Sequence, residues 1–247
     1  MKIVKYKKCK NKYNVYFDGG NYVSLYEDII LKYSLLLKKE ITDKELESIK
    51  IDNTKEEIYD VALKYISIKM RSRKEIETYL KKKEYSYSDI SNTIERLEKN
   101  GFINDEMYAK AYINDKFNLS NSGPNKIKKE LLKQGIKEEI IDNYISSINE
   151  EEMIDKLDRL VNKKIKTTKG CSGNVLKQKL INYFINEGYY LKDIERILEN
   201  KDFNTGNVKK EYDKLYNRYF KKYSGYELDM IIKQKLYQKG YNYDTMK

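Results

Sequence analysis

The chain contains no histidine. That absence removes Ser-His-Asp and Cys-His nucleophile systems and every histidine-bearing zinc site, leaving carboxylates, lysines and tyrosines as the only side chains for acid–base work. Cysteine is almost as scarce. Cys9 and Cys171 stand far apart and offer neither a metal spacing nor a disulfide framework, which suits a reducing cytoplasm. No glycine-rich phosphate cradle is present; the one glycine cluster, Asp18-Gly19-Gly20, lies between two alternating apolar runs and reads as a hairpin turn. Neither a signal-peptide run nor a membrane-spanning stretch occurs, so a soluble, cytoplasmic protein is expected. Carboxylates are plentiful, but their spacing calls for no metal centre, and neither catalysis nor a cofactor is expected.

Charge is abundant, and it is lopsided. Fifty Lys and Arg against thirty-nine Asp and Glu leave +11, which favours an anionic partner, either nucleic acid or a protein assembled on it. The twenty-five tyrosines sit in a chain rich throughout in Lys, Asn and Ile, so they reflect coding bias more than base-stacking platforms.

A motif also repeats. Leu80, Leu131, Phe184 and Leu236 each stand four residues before the pairs Glu84-Tyr85, Gly135-Ile136, Gly188-Tyr189 and Gly240-Tyr241, and Ile90, Ile141, Ile194 and Met246 follow at a constant offset. Copies roughly fifty residues apart predict a mainly α fold of tandem three-helix repeats in an elongated array, each burying its apolar face against its neighbours. Residues 1–25 differ. Ile3-Val4 with Tyr6, then Tyr13, Val15 and Phe17 at period two, then Val23 and Leu25 predict a small antiparallel sheet. Ser24 with Glu27 and Thr42 with Glu45 have capping-box spacing and are expected to open two helices. The expected organisation is a β-plus-helix module over 1–53, repeats over 54–100, 101–149 and 150–202, and a partial or complete fourth over 203–247.

Within the first repeat, Val61, Ala62, Tyr65 and Ile66 make an apolar stripe, Ser72 and Glu75 cap a second helix bearing Ile76, Tyr79 and Leu80, and Ile90, Ile94 and Leu97 mark a third. In the second, Tyr108, Ala111 and Tyr112 begin the unit. Pro124, the one proline, takes a first-turn position where its missing N–H costs least. Gly135, Gly188 and Gly240 close the second helices of their repeats; Glu84 takes that slot in the first copy, so its helix end is expected to differ locally.

The cations gather between first and second helices. Four windows are free of acidic residues: Val61–Lys74, Lys116–Lys129, Arg159–Asn186 and Lys214–Tyr226. Recurrence at equivalent places predicts positive charge along one edge, a stripe suited to a polyanionic or acid-lined groove. The residues expected to carry it are Lys69, Arg71, Arg73 and Lys74, then Lys126, Lys128 and Lys129, then Lys163, Lys164 and Lys166. Ser72 and Glu75 are expected to be structural caps rather than contacts.

Two stretches resemble a known family. Ala62-Leu63-Lys64-Tyr65-Ile66, Lys69 to Ile76, Arg96-Leu97 and Gly101-Phe102-Ile103-Asn104-Asp105-Glu106-Met107-Tyr108-Ala109 are similar to the signature of the regulatory protein RecX family, as are Gly123 to Ile127 and Glu130-Leu131 through Gly135-Ile136. The strong part covers roughly residues 57 to 148, and the leading β-module is similar to that of longer, Gram-positive-type members. Lys69 stands where the family more often shows arginine, and Glu84 where glycine is usual. The resemblance implies a monomeric modulator of the RecA recombinase in homologous recombination, DNA repair and the SOS response. It would lie in the groove of the RecA filament on single-stranded DNA and suppress ATP hydrolysis, strand exchange and coprotease action. The alternative from the residues themselves is a protein that binds single- or double-stranded DNA directly through basic three-helix units.

Overall fold

The computed structural model describes residues 1–204 and 208–242. Its first elements are three antiparallel strands, β1 (Ile3–Cys9), β2 (Lys12–Phe17) and β3 (Tyr22–Tyr26), in the order β1-β2-β3. Val15 lies opposite Tyr6 on one side and Val23 on the other, so the period-two residues share a face. Val15, Phe17 and Leu25 are buried under α1 (Glu27–Lys32), a 3-10 turn (Leu35–Leu37) and the start of α2 (Asp43–Ile66).

The second cap expected in this module is present and the first is not. Thr42 Oγ1 accepts from the Glu45 N–H while Glu45 accepts from the Thr42 N–H, a complete capping box. Ser24, however, lies inside β3; the N-cap of α1 is Tyr26, with no side-chain bond. The strand's own ladder claims Ser24, which pairs with Asn14 and whose carbonyl accepts from Asn53 Nδ2.

Helix α2 is one uninterrupted helix of 24 residues across positions 53 and 54. It serves two cores from opposite sides. Ile49 is buried with the sheet residues and Ile58 with the helices that follow, and nine residues of helix turn the chain through about 180°.

The following helices are α3 (Arg73–Lys81), α4 (Tyr87–Lys99), α5 (Asp105–Leu119), α6 (Pro124–Lys133), α7 (Glu138–Ser146), α8 (Glu150–Thr167), α9 (Gly173–Asn186), α10 (Leu191–Leu198), α11 (Val208–Tyr219) and α12 (Gly225–Gln238). They recur as triplets, except that a third helix for the last set, with its anchor Met246, would fall outside the described residues. The chain divides into two compact units, Met1–Tyr108 and Ala109–Lys247.

The first, third and last sets each bury a core of their own. Ile58, Ala62, Ile76, Leu80, Ile90, Ile94 and Leu97 cluster in the first, Leu157, Val161, Leu176, Leu180, Phe184 and Ile194 in the third, and Leu215, Leu228, Ile232 and Leu236 in the last. This corrects the expectation that apolar faces are covered mainly by neighbouring repeats. In the second set the buried residues of α5 are Tyr108, Ala109 and Ile113, while Ala111 and Tyr112 are only half-buried, one step round the helix.

Neighbouring repeats in the second unit are joined through backbone. Gly123 N–H donates to Glu187 O (2.7 Å) and Asn125 N–H to Gly188 O (3.0 Å), so the start of α6 is bonded to the end of α9. The same joint recurs one repeat on, where Ser172 N–H donates to Lys239 O (2.9 Å) beyond α12. Only glycine permits the approach: a Cβ on Gly188 would lie 2.3 Å from Lys126 N, and one on Gly240 2.0 Å from Ser172 O. Both glycines also hold positive φ, +92° and +81°, closing their helices as expected. Glu84 adopts φ +63° in the first copy, so that helix end does not differ: the left-handed turn is kept by a residue that bears its steric cost.

Among the described residues no helix is long and apolar enough to cross a membrane.

Candidate partner interface

The start of α3 is fixed by polar groups from two directions. Ser72 Oγ accepts from the Glu75 N–H (3.2 Å) and Glu75 accepts from the Ser72 N–H (3.1 Å), so both are caps. Asp105, at the start of α5, accepts from the Arg73 N–H (2.8 Å), satisfying another free donor of the helix end. Burial pushes the Asp105 carboxyl up, against that hydrogen bond.

The basic residues here are unequal in availability. Arg71 is packed into the repeat: its guanidinium lies 4.0 Å from the centre of the Tyr65 ring, Tyr65 stacks on Tyr79 at 3.9 Å, and Nη1 reaches Glu75 at 3.2 Å. Its Nε is buried with no acceptor among the described residues. Arg73 donates to both oxygens of Glu98 at 2.6 and 2.7 Å. Lys69 is exposed, 3.9 Å from Glu75, and Lys74 is exposed on the first turn of α3.

In the second repeat Lys126 pairs with Glu187 of the next repeat at 3.0 Å, beside the glycine joint. Lys128 is held by Asp142 (2.6 Å) and Glu138 (2.8 Å) of α7, and those bonds raise its ammonium to about 12. Lys129 is exposed, and no described carboxylate pairs with it. Lys116, the first cation of this window, pairs with Glu130 at 2.9 Å.

The third repeat contrasts with both. Lys163 and Lys166 are exposed on α8 with no carboxylate partner among the described residues. Lys164 Nζ sits 3.8 Å from the centre of the Tyr183 ring, a cation–π contact that leaves its charge uncancelled. Lys163, Lys164 and Tyr183 line a small cleft of about 170 Å³ together with Asn121 and Thr167. The structure therefore brings Lys163 and Lys164 to one place, and it ties Arg71, Arg73, Lys126 and Lys128 to internal partners.

Sequence reasoning missed Lys156. It is 8% exposed, and its Nζ donates to Phe117 O (2.6 Å) and Ser122 O (3.2 Å), with the Phe117 ring 4.6 Å away. Bonded to carbonyls alone, the ammonium is pushed down by burial to about 8. Phe117 is in the last turn of α5, where a cation complements the helix end. The signal was present: Lys156 falls between Met153 and Leu160 on the apolar side of α8.

Models of the first and second three-helix domains of RecX match residues 59–97 and 104–145. The chain is 32% identical over 255 residues to the regulatory protein RecX of Bacillus cytotoxicus, covering 99% of this chain and 94% of that one. Against the regulatory protein RecX of Lactococcus lactis it is 34% identical over 257 residues, covering 99% and 95%. A crystal structure of a regulatory protein RecX superposes with a TM-score of 0.70 at 25% identity, covering 80% of this chain and 98% of that one. The structure of RecX from Lactobacillus salivarius gives a TM-score of 0.55 at 28% identity, over 59% and 94%.

Proposed function

The chain belongs to the RecX family of regulatory proteins, and from that premise we propose that it binds the RecA filament on single-stranded DNA, along its helical groove, restraining RecA's ATPase, recombinase and coprotease activities. It acts as a monomer and transforms no substrate. The observation that carries this reading is the recurrence of one basic helical unit: repeated weak contacts on a linked chain act multivalently on a polymer that presents the same surface at regular intervals. The contacts are Lys69, Arg73 and Lys74 in the first repeat, Lys126, Lys128 and Lys129 in the second, and Lys163, Lys164 and Lys166 in the third. Of these, Lys129, Lys163, Lys164 and Lys166 contribute most, because no carboxylate among the described residues already matches their charge. Arg71 supports the site from inside the repeat.

A pull-down tests it. RecA assembled on single-stranded DNA with a non-hydrolysable nucleotide should retain the chain at a saturating protomer ratio, free RecA and bare DNA should not, and RecA ATPase should fall as the chain is added. Equal retention on bare DNA would favour the second reading, direct DNA binding. Its support is the run Lys163, Lys166, Lys169, Lys177 and Lys179, which have no carboxylate partner among the described residues. In that case log affinity should fall with log salt by about 0.7 per strand phosphate contacted.

A further inference from the structure

A second basic concavity lies where the end of α8 and the linker after it face the start of α11. It encloses about 540 Å³, within the range of small-molecule sites and well beyond a lone inorganic ion. Four lysines line it, Lys166 and Lys169 from one side and Lys210 and Lys214 from the other. The single carboxylate present, Glu211, is 6% exposed and already held by Lys214 at 3.2 Å and by Lys239 at 2.5 Å. Those two bonds drive its carboxyl down, so it stays an anion committed to its own lysines. Lys166 and Lys169 have no partner among the described residues. The backbone N–H groups of Lys169, Gly170 and Cys171 likewise take no acceptor among them. Ile165 and the buried Cys171 and Tyr241 complete the lining with apolar surface.

Converging cations, free N–H donors and an apolar wall are complementary to a group that is doubly charged at one end and flat at the other. A carboxylate brings one negative charge; a phosphoryl group brings about 1.5 to 2 with three acceptor oxygens. An aromatic base can lie against Tyr241 and Ile165 while its phosphate meets the lysines. We propose that this cavity is a nucleotide site, in which Lys166, Lys169 and Lys210 hold phosphate oxygens and the Ile165–Cys171–Tyr241 wall receives the base. The nucleotide is either free or part of a single strand, and the site is independent of whether RecA is the partner.

Calorimetric titration of the full chain with ATP, with oligothymidylate and with inorganic phosphate tests the assignment. ATP or the oligonucleotide should bind, and Lys166→Glu with Lys169→Glu should weaken that binding at least about 10-fold, since both side chains are exposed and unpaired and helicity should not change. The control Lys7→Glu with Lys39→Glu makes the same charge change at exposed positions far from the cavity in sequence and should bind as wild type. Binding of ATP identifies a free nucleotide as ligand, and binding of the oligonucleotide alone identifies a strand. No binding of either, undiminished binding by the Lys166→Glu with Lys169→Glu variant, equal weakening by the control, or inorganic phosphate binding as tightly as ATP and the oligonucleotide would overturn the proposal.

Discussion

The first two repeats and the third use their cations differently. Arg71, Arg73, Lys126 and Lys128 each meet a carboxylate at 2.6 to 3.2 Å, whereas Lys163 and Lys166 meet none among the described residues. An exposed ion pair contributes little to stability, but it occupies the cation, and an incoming anion must displace the resident carboxylate. Formal charge is therefore a poor guide to available charge. The third repeat lies beyond the two matched three-helix domains, and it holds lysines that no described carboxylate occupies.

Breaking the joint that holds the second repeat's cation in place should have the largest effect. Gly188→Ala forces a Cβ against Lys126 N and strains a left-handed residue, and unfolding in urea should show a loss of about 2–4 kcal/mol. A loss under about 0.5 kcal/mol would mean the joint yields freely. Arg71→Ala comes next. It removes a guanidinium stacked on Tyr65 and paired with Glu75, and should cost about 2 kcal/mol by the same measurement. If it instead left stability alone and abolished RecA inhibition, Arg71 would belong with the contacts and the contrast between repeats would collapse.

Lys156 gives a pH-dependent comparison. Its ammonium titrates near 10.4 in an unfolded chain and at about 8 when folded, so below pH 8 both states are protonated and the burial penalty is present in full. As pH rises from 8 toward 10.4 the unfolded state holds the proton more tightly, and stability rises. Relative to Lys156→Met, the wild type should gain about 1 kcal/mol between pH 7 and 9.5, a figure reduced for partial solvent screening. A flat difference would show that the ammonium is solvated.

The smallest change in stability is expected for Lys163→Ala with Lys166→Ala, within about 0.5 kcal/mol of wild type. RecA ATPase inhibition should nevertheless weaken about 10-fold. Undiminished inhibition by the folded double variant would move the interface away from the third repeat.

Much of the fold could be read from residue spacing. Local signals were faithful: the Thr42–Glu45 and Ser72–Glu75 caps, the turn at Asp18–Gly20, the proline opening α6 and the glycines closing later helices all act within a few residues. Ser24 failed as a cap because a strand ladder from outside its own segment outweighs capping spacing. Glu84 failed as a sign of a different helix end because the array imposes a left-handed turn whatever residue fills it.

The site was less legible for one reason. Windows free of acid along the chain are not free of acid in space: Lys126 finds Glu187 sixty-one positions away, and Arg73 finds Glu98 twenty-five away. No reading of local pattern reports such pairs. Lys156 escaped because a lone lysine in an apolar stripe resembles a snorkelling surface residue, and only the carbonyls of Phe117 and Ser122 reveal it as internal.

The glycine joints have a consequence for how such a molecule can vary. Main chain meets main chain at 123–126 with 187–188 and again at 172 with 239–240, so seating one module on the next asks little of side-chain identity beyond the bare Cα. A unit fastened this way is free to exchange its outward residues without losing its seat. Neighbouring modules can accordingly divide labour, one spending its lysines on internal ties while another presents them to a ligand.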